Sequence, residues 1–193
     1  MPNWITVYER LKSRIETFGV AVAAAEMKPD TTGVFDGLSI TTNTAYDLET
    51  RCHNIAHSFG HIAQWSLDYP RFQALYDALY AAKANKATDL RSLEEALQHF
   101  RDYEEEASKY ATWLLNETGN EDAVPAFTNF ARADIEAIVA FHRDGAAPLW
   151  GRFFADWNAR VDRGELKLRP FEPKLIPSLT PVHIALQEVI RQV

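Results

Sequence analysis

A single cysteine, Cys52, stands among 193 residues, so no internal disulfide can staple the chain and a packed core must hold it. Its place on an apolar stripe marks it as a buried small hydrophobe. Nowhere do about eighteen apolar residues run together, which argues against a membrane-spanning helix. The start, MPNWITVYERLKSR, has neither a continuous apolar segment nor a small-residue cleavage site, so no signal peptide is expected and a cytoplasmic protein is. Basic residues are the scarcer charge, Lys+Arg 20 against Asp+Glu 27 for a formal net charge of -7. With no basic run to follow a phosphate backbone, nucleic acid is not expected as a direct partner. Internal repeats, low-complexity tracts and interdomain linkers are missing too. What remains, 47% hydrophobic and 12% aromatic, suffices for one core, and a single domain over residues 1–193 is expected because domains hold roughly 100 to 200 residues.

Trp4, Tyr8, Leu11, Ile15, Phe18 and Val22 recur at helical spacing and predict a helix from residue 3 to about 26. After the turn-forming run Asp30 to Gly37, Leu38 to Thr42 alternates apolar with polar and predicts a short half-buried strand. As an edge strand beside the following helix, it could hold an extended peptide by main-chain hydrogen bonds. Asp47 to Trp65 (DLETRCHNIAHSFGHIAQW) then carries two helical stripes. Leu48, Cys52, Ile55, Phe59 and Ile62 form the apolar one, while His53, His57 and His61 step by four along another face beside Ala56, Gly60 and Ala63. A segment packed on one side and lining a site on the other has this pattern.

Asp68-Tyr69-Pro70 stops that helix, and Phe72, Leu75 and Leu79 mark a shorter one to about Asn85. The next, capped by Thr88 or Asp89, places Leu90, Leu93, Leu97, Phe100, Glu104, Ala107, Ala111 and Leu114 on its apolar face. Glu104 thus occupies a slot that asks for an apolar side chain, and a carboxylate there needs a partner or a proton. Glu105 and Glu106 fall off the stripe and read as solvated. Further helices are expected over Phe127 to His142, over Leu149 to Val161, and from Thr180-Pro181 to Arg191, with a second short strand at Leu166 to Arg169. Trp65, Trp113, Trp150 and Trp157 read as core. The fold class is therefore mainly α with a small β-sheet (α+β).

His57-Ser58-Phe59-Gly60-His61 has the skeleton HxxxH, which on a helix brings two imidazoles to one face about a turn apart, near enough to ligate one zinc. Glu104 completes the His2Glu set of catalytic zinc sites. The competing interpretation makes the histidines polar filling of a helix interface, bonded to backbone or to Glu104, with Arg51 as another partner for that carboxylate.

Here the sequence resembles the ImmA/IrrE family of zinc metallopeptidases, in which a strand is followed by a helix with an AHELGH-like stretch and then one with an ExEAxxFAxxLL-like pattern. The counterparts are the strand at Leu38 to Thr42, Ala56-His57-Ser58-Phe59-Gly60-His61, and Glu104 to Leu115. The resemblance implies a gluzincin-like metallopeptidase core over about residues 35–115, extra helices, a helical C-terminal extension over about 121–193, and zinc held by His57, His61 and Glu104. It implies a protein or peptide segment as partner, with a transcriptional repressor as one target, although no DNA-binding helix pair is visible in this chain. Two departures stand out. Ser58 replaces the glutamate that polarises water in the family, and the interval from His61 to Glu104 is longer than the family norm. The expectation is a site that keeps its ligands but has lost its base, with weak or no peptidase activity. The alternatives are an active hydrolase in which Glu105 or Asp134 substitutes through a water, and a non-enzymatic interaction protein with structural histidines. His53, Glu105, Asp134 and His142 are the residues expected to support the ligands or line their cavity.

Overall fold

The computed structural model describes residues 1–28, 31–86, 89–146 and 150–182. The chain is mostly helical with one small sheet, in the order α1 (Trp4–Glu16), β1 (Ala21–Ala25), β2 (Gly33–Phe35), β3 (Ser39–Asn43), α2 (Leu48–Ala84), α3 (Leu90–Glu117), a short 3-10 turn (Glu121–Ala123), α4 (Val124–Asp144) and α5 (Trp150–Asp162). No described helix is long and apolar enough to cross a membrane. Residues 183–193, with most of the expected last helix and His183, lie outside the described residues, as do Pro148 and the expected start of α5 at Leu149.

The first helix ends ten residues before the spacing suggests. Thr17 closes it and Gly19 follows at φ 81°, a left-handed conformation that glycine takes without a Cβ clash. Val22 then belongs to β1, where it sits opposite Ile40 in a parallel pair with β3, both side chains buried. Helix-favouring alanines thus form a strand because β3 offers them a ladder, a tertiary override of propensity. The sheet order is β1-β3-β2, with β2 antiparallel to β3. The strand expected at the edge is therefore the central one, and the edge strand beside the site helix is β2, which forms within the turn-forming run.

Asp47 caps α2 by accepting from the Thr50 amide at 2.7 Å, and Asp89 caps α3 through the Ser92 amide at 3.0 Å. Within α2, Asp68 leaves helical conformation at φ -157°, ψ 73°, and its side chain accepts from the Arg71 amide at 3.1 Å. With Pro70 unable to donate, Asp68 works as the cap of a second helical segment, in keeping with its position before Tyr69-Pro70.

The core gathers Val7, Leu11 and Ile15 of α1, Ile55, Phe59 and Ile62 of α2, and Leu93, Leu97, Phe100 and Leu114 of α3. Cys52 is buried and gives its thiol to the Trp4 carbonyl at 3.6 Å, and burial pushes that thiol up to about 12, so it stays a thiol. Trp65 and Trp157 are buried as expected, whereas Trp113 and Trp150 are only half-buried. After α5, residues 165–182 run without regular structure. The strand expected at Leu166 to Arg169 is not formed, because the described ladders all lie among β1, β2 and β3. That stretch is tied to the helices instead: Lys174 donates its amide to the Lys109 carbonyl at 3.1 Å, and Phe171 and Ile176 are buried.

Gly60 decides how closely α2 meets α3. A Cβ at this position would lie 2.1 Å from the Ala107 carbonyl oxygen, which belongs to helix backbone and cannot step aside. Gly60→Ala should therefore push the helices apart and cost about 1–3 kcal/mol. Urea unfolding measures it, and an unchanged midpoint would mean that the backbones do not approach this closely.

Candidate metal centre

His57 and His61 stand one turn apart on α2, and Glu104 reaches them from α3 across the close contact at Gly60. All three are nearly buried, at 9%, 8% and 3% exposure. Nε2 of His57, Nε2 of His61 and Oε2 of Glu104 form a triangle with every side 3.1 Å. The rings of the two histidines meet edge to face, 4.7 Å apart at 89°. Glu104 does not pair with Arg51, whose Nε donates to Thr42 Oγ1 at 3.3 Å.

The surrounding hydrogen bonds assign the tautomers. Gln64 donates its amide nitrogen to the Tyr103 carbonyl at 2.8 Å and to Glu106 Oε2 at 3.1 Å, so its oxygen must face His61 Nδ1, 2.9 Å away. His61 therefore carries its proton on Nδ1 when neutral. Ser108 spends its hydroxyl proton on the Glu104 carbonyl at 3.0 Å, so it accepts from His57 Nδ1 at 3.4 Å. Both Nε2 lone pairs then point at each other and at a carboxylate oxygen. Three acceptors at this distance repel unless a cation sits among them.

A metal ion satisfies that demand. A tetrahedral ion with bonds of about 2.0–2.1 Å separates its ligand atoms by roughly 3.3–3.4 Å, a few tenths of an ångström beyond the observed triangle. The three residues are thus a group that can hold a metal ion. Outward hydrogen bonds on both Nδ1 atoms are the usual way of fixing such ligands. The ring of His61 is further held between Phe35 of β2, stacked at 5.6 Å and 7°, and Tyr103, stacked at 5.6 Å and 27°.

Without metal a proton takes the same place. Burial disfavours charge on His61, yet Glu104 and Gln64 outweigh it and hold the imidazole above its ordinary value. Burial likewise opposes ionisation of Glu104, but His61 and His57 keep its carboxyl well below the usual carboxylate range.

The other expected site residues divide. Asp134 on α4 is half-buried and interacts electrostatically with His57, Glu104 and His61. Burial together with the charge of Glu104 pushes its carboxyl up to about 6 against the pull of the two histidines. His53 is buried but stands apart from the triangle, in a box of Trp4, Phe127 and Phe130, with burial lowering it to about 3. It is neutral packing, and its Nε2 has no hydrogen bond among the described residues. Glu105 is bound to Arg132 at 2.5 Å rather than free as a base or solvated. Glu106 is not solvated either, since it receives Gln64, Arg71 at 2.6 Å and Lys174. His142 lies eight residues further along α4, about 12 Å on, where its Nδ1 accepts from Lys83 at 3.3 Å and its ring meets Phe100 edge to face. His99 is exposed. Ser58 is buried beside His57 and brings no carboxylate to the site.

Gln64, Ser108, Phe35 and Tyr103 are site residues that sequence reasoning missed. Gln64 lies three residues after His61 and Ser108 four after Glu104, so helical spacing alone could have nominated them. No local signal marks Phe35, which reaches the site through the sheet. Compared with family models, curated proteins and solved structures, the chain matches none.

This geometry has two measurable consequences. Removing the acceptor of His61 by Gln64→Leu should weaken metal binding by roughly 10- to 100-fold, as read by competition with a chromogenic chelator. The metal-free protein should also have a pH window. The raised His61 contributes stability fully below about 6.5 that is lost as pH rises through its folded value, and the depressed Glu104 contributes stability above about 4.5 that is lost on acidification. A bound metal ion would replace the proton, so protein loaded with zinc should hold its melting temperature from about pH 7 to 9 while chelator-treated protein declines. Parallel melting curves would contradict that exchange.

Proposed function

We propose that this protein is a divergent relative of the ImmA/IrrE metallopeptidases that holds one zinc ion at His57, His61 and Glu104 and acts on, or binds, an extended protein segment. The observation that carries the reading is the buried triangle of acceptors, each side 3.1 Å, with both Nδ1 protons already spent elsewhere. Neutral imidazoles and one carboxylate suit zinc better than the hard cations, which prefer oxygen ligands. Support also comes from the order of elements, a sheet, then the HxxxH helix, then the helix bearing the third ligand. When bound, such an ion polarises a carbonyl and lowers the pKa of water.

The chain's own groups set the rest of the chemistry. His57 and His61 present neutral lone pairs, Glu104 offsets the charge, and Phe35 and Tyr103 hold the ring of His61. Ser58 occupies the place after His57 where the related enzymes keep their base, and a hydroxyl without a neighbouring base is a poor proton acceptor near neutral pH. The motif by itself is therefore a ligand set without its usual acceptor.

Protein purified without chelators should contain close to one equivalent of zinc by elemental analysis, and the double variant His57→Ala, His61→Ala should contain little while remaining folded. Absence of metal from wild type even after reconstitution would favour histidines that only fill a helix interface.

A further inference from the structure

If the HxxxH motif no longer carries its base, a working hydrolase needs an acceptor from another element. The acidic candidates near the site are few. Glu105 is committed to Arg132 at 2.5 Å, and Glu106 to Gln64, Arg71 and Lys174. Asp134 remains. It is half-buried on α4, and the groups that act on its charge are the three site residues.

Helix register places it. Arg101 of α3 meets Glu136 of α4 at 2.9 Å and Glu105 of α3 meets Arg132 of α4 at 2.5 Å, so these two helices run side by side in opposite directions. Asp134, midway between Arg132 and Glu136, falls level with Tyr103, midway between Arg101 and Glu105. The carboxyl of α4 is thereby carried to the height of the third ligand, Glu104. Yet the ligand atoms that lie within 4.8 Å of one another are those of His57, His61 and Glu104, with Asp134 outside the set. A carboxylate near the centre but beyond its ligand group has the placement of a proton acceptor acting on a water between them.

We propose that Asp134 is the general base of this site, supplied from α4 in place of the residue lost at position 58. The proposal rests on the reading that the triangle holds a metal. In the step it serves, Asp134 takes a proton from a water molecule whose oxygen bonds to the scissile carbonyl carbon. The carbon–nitrogen bond then breaks, and the proton passes from Asp134 to the leaving amine. One water is consumed per peptide bond, with no change of oxidation state.

The test uses zinc-reconstituted full-length protein as wild type, Asp134→Asn and Asp134→Glu, each checked for zinc content and circular dichroism. A mixed-sequence fluorogenic peptide library reads hydrolysis, and acetohydroxamic acid, which sheds a proton when it chelates, reads the acceptor independently of turnover. Calorimetry in buffers of differing ionisation enthalpy counts protons released per bound hydroxamate. Asp134→Asn should keep its zinc, lose roughly 10²- to 10⁴-fold in hydrolysis, and release close to one more proton than wild type, with partial recovery in Asp134→Glu. A zinc-replete Asp134→Asn that cleaves and releases protons like wild type would overturn the assignment. So would zinc-replete wild type that cleaves nothing in the library. A wild type that takes up no zinc is a different failure, since it removes the metal centre itself.

Discussion

The contact between α2 and α3 at Gly60 and Ala107 is the constraint on which the rest of the structure depends. With no side chain at position 60, the α2 backbone comes close enough to the Ala107 carbonyl that any Cβ would collide with it. Glu104, three residues before Ala107, is thereby carried onto His57 and His61, which flank Gly60 on the same helix. The apolar faces of both helices, Ile55, Phe59 and Ile62 on one and Leu97, Phe100 and Leu114 on the other, hold the pair together from the opposite side. Hydrophobic burial thus does the work of bringing three polar groups into one place.

That arrangement opposes itself electrostatically. A carboxylate and two imidazoles at 3.1 Å are stable inside a protein only with a positive charge among them. Hydrogen bonds from the Nδ1 atoms to Gln64 and Ser108 remove the option of satisfying the triangle with its own N–H groups. The next layer is polar too: Gln64 is oriented by Glu106, and Glu106 by Arg71 and Lys174, so the C-terminal stretch reaches His61 through Lys174, Glu106 and Gln64. These links hold His61 in one tautomer and one orientation, which is what a ligand requires.

The two ends of the site differ in character. Around His61 the surroundings are aromatic and fixed, with Phe35 and Tyr103 on the faces of the ring. Around His57 the neighbours are smaller and more polar, Ser108 and the half-buried Asp134. One side of the triangle is thus packed by aromatic rings and the other by polar groups.

The sequence by itself determined the parts that depend on local pattern. Periodicity marked α2, α3 and α4, the break at Asp68-Tyr69-Pro70, the burial of Cys52, and the misfit of Glu104 on an apolar stripe, because each is a property of one helix and its nearest turns. The convergence of His57, His61 and Glu104 could be posed from residue chemistry, but nothing in spacing fixes a distance across 43 residues. Only the tertiary structure decided that Ala21 to Ala25 is a strand, that β3 is central and β2 the edge, and that Glu105 and Glu106 are spent on Arg132, Arg71 and Lys174. It alone set His53 in an aromatic box, gave His142 to Lys83, and brought Asp134 within electrostatic reach of the triangle. The physical reason is common to all of these. Strand pairing, ion-pair choice and the environment of a buried polar group are set by partners distant in sequence, and a one-dimensional pattern carries the need for such a partner without naming it.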